Sequence, residues 1–180
     1  ALLSLTLAGP ALAQAPARDD APIRQFRDWI VGCDNTLACT ALGKTEDSDW
    51  VLRLDRAAGD APVRVSVVDV PASGPAAIRL VVDGQARGPA LRLSDAAEGV
   101  RRAQLPPAEG PAILAALREG RTGGVMGPDA RLLGTLPMGG YSAALRWMDA
   151  RQGRAGTPGA VIATGNGSAQ PPVPAAPRVA

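Results

Sequence analysis

The stretch FRDWIVGCDNTLACTALG, residues 26–43, contains both cysteines of the chain, Cys33 and Cys39. The residues on either side of Asp34-Asn35 alternate with a period of two, which is the pattern of two β-strands joined by a turn. If the turn places Cys33 opposite Cys39, large side chains face small ones along the rest of the hairpin. The further facing pairs are then Val31 with Ala41 and Trp29 with Gly43.

Two cysteines at this spacing have three interpretations: a redox motif, a metal site or a disulfide. Redox motifs separate their cysteines by two residues at a helix start, whereas here the intervening residues read as a turn. A structural zinc site needs four Cys or His ligands, and the chain has two Cys and no His. Opposed residues of an antiparallel pair have Cα atoms about 4.5–5.5 Å apart, which a disulfide tolerates. We therefore predict a disulfide between Cys33 and Cys39 and no metal site.

The first fifteen residues, ALLSLTLAGPALAQA, are apolar and uncharged. Ala11-Leu12-Ala13 is the small-x-small pattern that a signal peptidase cleaves, so residues 1–13 are predicted to be an export signal, truncated at its start. Gly9-Pro10 interrupts the apolar run and leaves too few residues to cross about 30 Å of hydrocarbon. We therefore expect no transmembrane span, a flexible segment over residues 14–21, and an oxidising compartment that favours the disulfide.

Strands are predicted along most of the chain after the hairpin. Alternation with a period of two places one arginine per strand on the outward side of four of them. These arginines are candidate ligand contacts, although they also fit a solvated surface paired with the neighbouring aspartates. The predicted strands are residues 50–55, 62–70, 77–84, 90–94, 130–136 and 159–165, the arginines are Arg53, Arg64, Arg79 and Arg92, and the aspartates are Asp55, Asp69 and Asp83.

Two helices are predicted among these strands. GPAILAALREG, residues 110–120, has Pro111 at a first helical position and Gly120 just past the end. YSAALRWMDARQG, residues 141–153, repeats apolar residues at helical spacing and stops at Gly153. Trp147 lies off that apolar face and is a further candidate contact.

These elements define the expected fold class. We predict a single disulfide-stapled α+β domain over residues 22–165, with a mostly antiparallel β-sheet forming a sandwich or partly open barrel and two helices packed against it. Residues 166–180 are rich in Pro and Ala, which is typical of a linker or tail. Such a linker would lead to a further C-terminal half.

The sequence contains no intact catalytic motif. GYSAA, residues 140–144, resembles a serine-hydrolase elbow, but its last glycine is Ala144 and the chain has no histidine to act as base. The acidic run at Glu46, Asp47 and Asp49 lacks the spacing of a calcium loop. Nineteen basic and seventeen acidic residues are interleaved along the chain, whereas nucleic-acid binding requires clustered charge. We predict no catalytic residue, no cofactor and no nucleic-acid partner.

Two segments resemble a known family. FRDWIVGCDN (26–35) with Cys39-Thr40-Ala41, and YSAALRWMD (141–149) with Arg151–Arg154 and Gly156-Thr157, are similar to domain-of-unknown-function family 1176, a group of exported bacterial proteins. More distantly, the aromatic-rich strand ending in Cys, the second Cys and the late helix resemble the invasion-associated locus B proteins. The resemblance implies a periplasmic or envelope protein of a Gram-negative bacterium, and it transfers no catalytic or binding residue.

Two functions are compatible with these observations. The first is a non-catalytic module that binds another envelope component, a protein or an anionic polymer, through the outward arginines. The alternative is a carboxylate-dependent hydrolase acting on an envelope polymer, because a pair of catalytic carboxylates need not be close in sequence. A hydrolase should place two or more acidic residues in one pocket with perturbed pKa values.

Overall fold

The structure is a computed structural model that describes residues 22–97 and 99–167. The predicted export signal, the segment 14–21 and most of the tail lie outside the described residues. The β-strands in chain order are β1 (Ile23–Phe26), β2 (Trp29–Cys33), β3 (Cys39–Lys44), β4 (Val51–Arg56), β5 (Arg64–Pro71), β6 (Ala77–Val82), β7 (Gln85–Arg92), β8 (Ser94–Ala97), β9 (Val100–Gln104), β10 (Gly123–Met126) and β11 (Leu132–Leu136). The helices are a short 3-10 helix (Pro107–Glu109), α1 (Gly110–Glu119) and α2 (Tyr141–Arg151).

The strands of the described part form two sheets. The first sheet has the order β1-β2-β3-β4-β5-β9-β8, and the second has the order β11-β10-β6-β7. Every pairing of strands is antiparallel. The prediction of an α+β fold with mostly antiparallel sheets and two helices is confirmed, in its sandwich-like form.

The hairpin of β2 and β3 has the predicted register. Cys33 faces Cys39, and the other two predicted facing pairs are also present. The cysteines form a disulfide, with Cα atoms 4.0 Å apart. Between them, the Asp34 carboxylate accepts hydrogen bonds from the backbone amides of Thr36 and Ala38 at 2.8 and 3.0 Å. The turn is therefore shaped by one side chain and closed by the disulfide.

One connected hydrophobic core joins the inner faces of the strands to both helices. Trp29 is fully buried and meets the ring of Tyr141 edge to face, with centroids 5.1 Å apart. The Trp29 indole nitrogen donates to the Pro137 carbonyl at 2.9 Å, and the Tyr141 hydroxyl donates to the Leu114 carbonyl at 3.1 Å. These contacts fix α2 over the inner face of β2 and β3, and link it to α1.

The strand predicted over residues 159–165 is wrong. This segment consists of turns and irregular backbone, because its amides have a different partner. The amides of Val161 and Ile162 donate to the Asp149 carboxylate at 2.9 and 3.0 Å, so they are not available for a strand ladder. Conversely, the structure contains four strands that we did not predict from the sequence: β1, β8, β9 and β10.

Candidate binding groove on the outer face of the first sheet

The outer face of the first sheet is the one opposite to the core face, on which Trp29 of β2 is buried. Because side chains alternate along a strand, the strand register brings the outward residues of β1 to β5 into rows. One row contains Ile23, Gly32, Thr40, Asp55 and Arg64, and the next contains Gln25, Ile30, Leu42, Arg53 and Ser66.

These two rows form most of a groove of about 650 Å³, which also contacts the disulfide, and which we call the outer groove. The volume lies within the range of small-ligand pockets, about 300–1,000 Å³. The groove is open to solvent, and it extends from β1 to the start of β5. It is the largest of the cavities found along the described residues.

One side of the outer groove is apolar. Ile23 and Ile30 are 65% and 44% exposed, and they are two of the three large apolar side chains that the described part exposes to this degree. Gly32 lies beside Ile23, and a Cβ atom there would meet the Ile23 Cγ1 atom at 3.2 Å. The lack of a side chain at Gly32 therefore lets Ile23 lie close against β2. A cluster of exposed apolar side chains is a candidate interaction surface.

The other side of the outer groove is polar and already hydrogen-bonded. The Arg53 guanidinium donates to the Asp55 carboxylate at 2.8 Å, and the Thr40 hydroxyl donates to it at 2.6 Å. Burial opposes ionisation of Asp55, but these two hydrogen bonds and the charges of Arg53 and Arg64 outweigh it, so the pKa of Asp55 lies below its ordinary value. The Asp55 hydrogen bond also raises the pKa of Arg53. Arg53 is therefore neutralised by an ionised partner.

Arg64 differs from Arg53 in its partners. It is exposed and lies in the row of Asp55, and its charge acts on the Asp55 carboxylate from a distance. Within residues 22–97 and 99–167 it makes no ion pair. Its guanidinium is thus the charge in the outer groove that is available to a ligand.

The structure divides the four predicted arginines between the sheets. Arg53 and Arg64 meet in the outer groove, whereas Arg79 on β6 and Arg92 on β7 belong to the second sheet. Trp147 is half-buried on α2, and the Arg151 guanidinium stacks 5.7 Å from its ring centroid. Only the first pair of candidates is therefore brought together at one site.

Sequence reasoning missed the apolar half of the groove. Ile30 and Leu42 occupy outward positions of β2 and β3, where alternation predicts polar residues. This departure was visible as the unbroken apolar run Trp29-Ile30-Val31. The signal that could have indicated the site is an apolar residue at an outward position of a strand that buries only one of its faces.

The predicted acidic run and the outer groove contain different carboxylates. Glu46, Asp47 and Asp49 are exposed on the loop after β3, and Asp49 pairs with Lys44 at 3.3 Å. The outer groove contains Asp34 and Asp55 instead. The pKa of Asp34 lies below its ordinary value because Thr36 donates a hydrogen bond to it, and that of Asp55 is also lowered. A glycoside hydrolase needs one carboxyl group with a raised pKa as the general acid, and neither groove carboxylate has one.

No cluster of potential metal ligands occurs in the part of the chain that the structure describes. In the same part, none of the helices has the combined length and hydropathy of a membrane-spanning helix.

A second polar group lies under α2, on the inner side of the first sheet. Asp149 is fully buried and pairs with the buried Arg56 guanidinium at 2.9 Å. Burial lowers the pKa of Arg56, an effect that the nearby Arg154 increases and Asp149 opposes. The Gln152 amide donates to the Leu37 carbonyl at 2.8 Å, beside the disulfide. Asp149 also accepts the amides of Val161 and Ile162, and Arg56 donates to the Gly159 carbonyl. These last contacts hold residues 153–167, which we call the C-terminal strap, against the sheet.

The comparisons with known proteins agree with this architecture. The fold and the outer groove define an α+β protein with a disulfide-closed hairpin. The family model described as "Protein of unknown function (DUF1176)" matches residues 23–180, so the chain belongs to this family. The second segment that resembles this family, residues 141–157, carries four buried polar side chains: Asp149, Gln152, Arg154 and Thr157.

A solved structure shares the fold. The crystal structure of invasion associated protein B from Bartonella henselae superposes with a TM-score of 0.54, at 18% sequence identity, covering 73% of this chain and 98% of that chain. At this identity the likeness concerns the fold alone. A search of curated proteins finds no match to the sequence.

Proposed function

We propose that this chain is an exported, non-catalytic binding module of the bacterial envelope, and that the outer groove holds another envelope component, a protein or an anionic polymer. Its disulfide supports export, because such bonds form and persist in oxidising compartments. The apolar start of the sequence, with its signal-peptidase pattern, supports the same localisation.

The observation that carries the binding proposal is that one groove has exposed apolar side chains at one end and, at the other, a guanidinium that makes no ion pair within the described residues. Ile23 and Ile30 expose apolar surface that a ligand would remove from water. Arg64 lies across the groove from them and would attract a negatively charged group. A ligand that is both apolar and anionic satisfies both halves of the groove.

The fluorescent probe 1-anilinonaphthalene-8-sulfonate tests the proposal, because it combines an aromatic body with a single anionic group. We expect saturable binding of the probe to the oxidised, native chain. Ile30→Asn and Arg64→Glu should each raise the Kd of the probe roughly tenfold, equivalent to about 1.4 kcal/mol of binding free energy. Circular dichroism and the thermal midpoint establish that each variant is folded.

Arg79→Glu is the matched control, because Arg79 is an equally exposed strand arginine in the second sheet. It should leave the Kd of the probe unchanged. Equal losses in the Arg64 and Arg79 variants would show a general charge effect, and absence of saturable binding would refute the groove as a binding site.

A further inference from the structure

β1 is the outermost strand of the first sheet among the described residues. The Cys33 amide donates to the Pro22 carbonyl at 3.0 Å, and Pro22 directly precedes β1. Backbone groups of antiparallel strands point alternately toward and away from the partner strand. With Pro22 facing β2, the backbone N–H and C=O groups of Ile23 and Gln25 are therefore directed away from it, toward the sheet edge.

The same two residues belong to the rows that form the outer groove. Ile23 and Gln25 face Gly32 and Ile30 on β2, so the side chains of Ile23 and Ile30 continue the apolar surface up to the edge. At the other end of β1, the Gly139 carbonyl accepts a hydrogen bond from Asp28 at 3.3 Å. The accessible part of the edge is thus the part beside the groove.

We propose that the edge of β1, together with the apolar end of the outer groove beside it, binds an extended acidic and apolar segment of a partner protein, which adds as a further strand to the first sheet. This inference rests on the proposed function and names the partner class. Edge-strand addition provides main-chain hydrogen bonds for affinity, and the groove beside the edge provides side-chain selectivity.

A polypeptide fits these features better than an anionic polymer. A polymer is held by several uncompensated cations, but Arg53 is paired with Asp55, so Arg64 supplies the available charge in the groove. Unpaired backbone groups at an edge are satisfied by another backbone, and alternate side chains of an added strand face the apolar surface of the groove. The exposed guanidinium of Arg27, in the turn that follows β1, favours acidic residues in the added strand.

A second copy of the chain fits less well. If two copies paired at this edge with twofold symmetry, the register that uses both Ile23 and Gln25 would place Arg24 directly opposite Arg24 of the other copy. Like charges directly opposite each other destabilise an antiparallel pair. An acidic strand has no such conflict.

The test uses a random 12-residue peptide library displayed on phage and selected against the oxidised full chain. Enriched peptides are synthesised, and their Kd values are measured by fluorescence polarisation. We expect enriched sequences to alternate apolar and acidic residues. Ile23→Asn, at the exposed apolar residue of β1, should raise their Kd about tenfold, whereas Leu132→Asn, at an exposed apolar residue of the second sheet, should not.

Gln25→Pro tests the strand addition itself. Proline removes the outward N–H of Gln25, which the pairing with β2 does not use, and proline is tolerated on edge strands in this orientation. The matched control is Gln25→Ala, which keeps the amide and removes only the side chain and its hydrogen bond to the Arg27 carbonyl. We expect Gln25→Pro to raise the Kd of the peptides at least tenfold and Gln25→Ala to change it less than twofold.

N-methylation of alternate peptide residues gives a second measurement that does not depend on the folding of a variant. It should abolish binding in one of the two registers and leave it intact in the other, because a strand pairs through alternate residues. Strand addition would be refuted if the wild-type chain bound both methylated peptides equally well and Gln25→Pro bound the unmethylated peptide as tightly as wild type does. The groove would then remain a binding site.

Other outcomes also overturn the proposal in distinguishable ways. Failure of both the sulfonate probe and the peptide library would refute the proposed function as well. Displacement of the probe by dextran sulfate, with no peptide enriched, would assign the groove to an anionic polymer. A dimer in solution that Gln25→Pro dissociates would make a second copy the occupant.

Discussion

At the scale of single residues, the buried carboxylate of Asp149 has three partners. It pairs with Arg56 and accepts the amides of Val161 and Ile162. Asp149→Asn removes the negative charge and leaves the buried Arg56 guanidinium uncompensated, which typically costs about 3–5 kcal/mol. We expect a loss of this size in the free energy of unfolding, measured by urea denaturation.

Asp49→Asn is the control for this substitution. Asp49 pairs with Lys44 at 3.3 Å, but both side chains are exposed, at 82% and 65%. Exposed pairs contribute about 1 kcal/mol or less. A loss of similar size in both variants would contradict the assignment of the Asp149 effect to an uncompensated buried charge.

The lowered pKa of Asp55 predicts that the stability of the fold depends on pH. Its pKa in the folded chain lies below the ordinary value of 3.8, so the folded state favours the ionised form. The resulting stability is fully present above the unfolded pKa and is lost as the pH falls through the lower folded pKa. Asp55→Asn should therefore lower the free energy of unfolding at pH 7, by about 1 kcal/mol for a partly exposed group.

At pH 2.5 the difference between wild type and Asp55→Asn should be smaller, since this pH lies below the ordinary pKa of 3.8 and the preference of the folded state for ionised Asp55 is lost progressively below that value. Urea denaturation of both proteins at the two pH values measures this. An unchanged difference between pH 7 and pH 2.5 would mean that ionisation of Asp55 contributes nothing to stability.

At the scale of elements, the β2–β3 hairpin depends on the absence of a side chain at Gly43. Gly43 faces Trp29, and a Cβ atom there would lie 2.6–2.9 Å from three atoms of the indole ring. Gly43→Ala must therefore displace a fully buried tryptophan, and overpacking of this kind costs about 1–3 kcal/mol. We expect the thermal midpoint to fall accordingly.

Gly32→Ala is the comparison within the same hairpin. Its Cβ would meet the exposed side chain of Ile23 at 3.2 Å and the backbone oxygen of Pro22 at 3.3 Å, and both contacts are relieved by small shifts of the edge strand β1. The cost should stay below about 1 kcal/mol, as for most surface substitutions. Equal effects at Gly32 and Gly43 would mean that the ring of Trp29 is not the obstacle.

The elements also show where sequence reasoning succeeds. The register of β2 and β3 was predictable because the turn, the cysteines and the facing pairs are all local. β10 was missed because it begins with Gly123-Gly124, residues of low strand propensity. A Cβ on Gly124 would lie 2.8 Å from the Gly134 carbonyl oxygen, so tertiary packing explains a choice that propensity disfavours. The strand predicted over residues 159–165 is absent although its propensity favours a strand. The amides of Val161 and Ile162 donate to the Asp149 carboxylate instead of to a neighbouring strand.

At the scale of the whole molecule, the candidate site was only half predictable. The outward direction of Arg53, Arg64, Arg79 and Arg92 follows from alternation and is confirmed for all four. Which strands share a sheet depends on pairings between distant residues, such as β5 with β9 and β6 with β10. The sequence therefore could not separate the two arginines of the groove from the two of the second sheet.

The C-terminal strap contacts both α2, through Asp149, and β4, through Arg56. Its removal should therefore destabilise the whole domain. A chain that ends at residue 152 loses the amides bound to Asp149 and the Gly159 carbonyl that accepts from Arg56. Unsatisfied buried polar groups cost about 1–3 kcal/mol each. We expect this truncation to lower the free energy of unfolding by several kcal/mol and to make the hydrophobic core bind apolar dyes.

A chain that ends at residue 167 provides the comparison. It keeps the whole strap and removes most of the segment predicted to be a linker or tail, so its urea midpoint should equal that of the full chain. If the two truncations were equally destabilised, residues beyond 167 would be part of the folded unit. If neither were destabilised, the hydrogen bonds between Asp149 and the strap would add nothing to stability, and the buried pair of Asp149 and Arg56 would not depend on the strap.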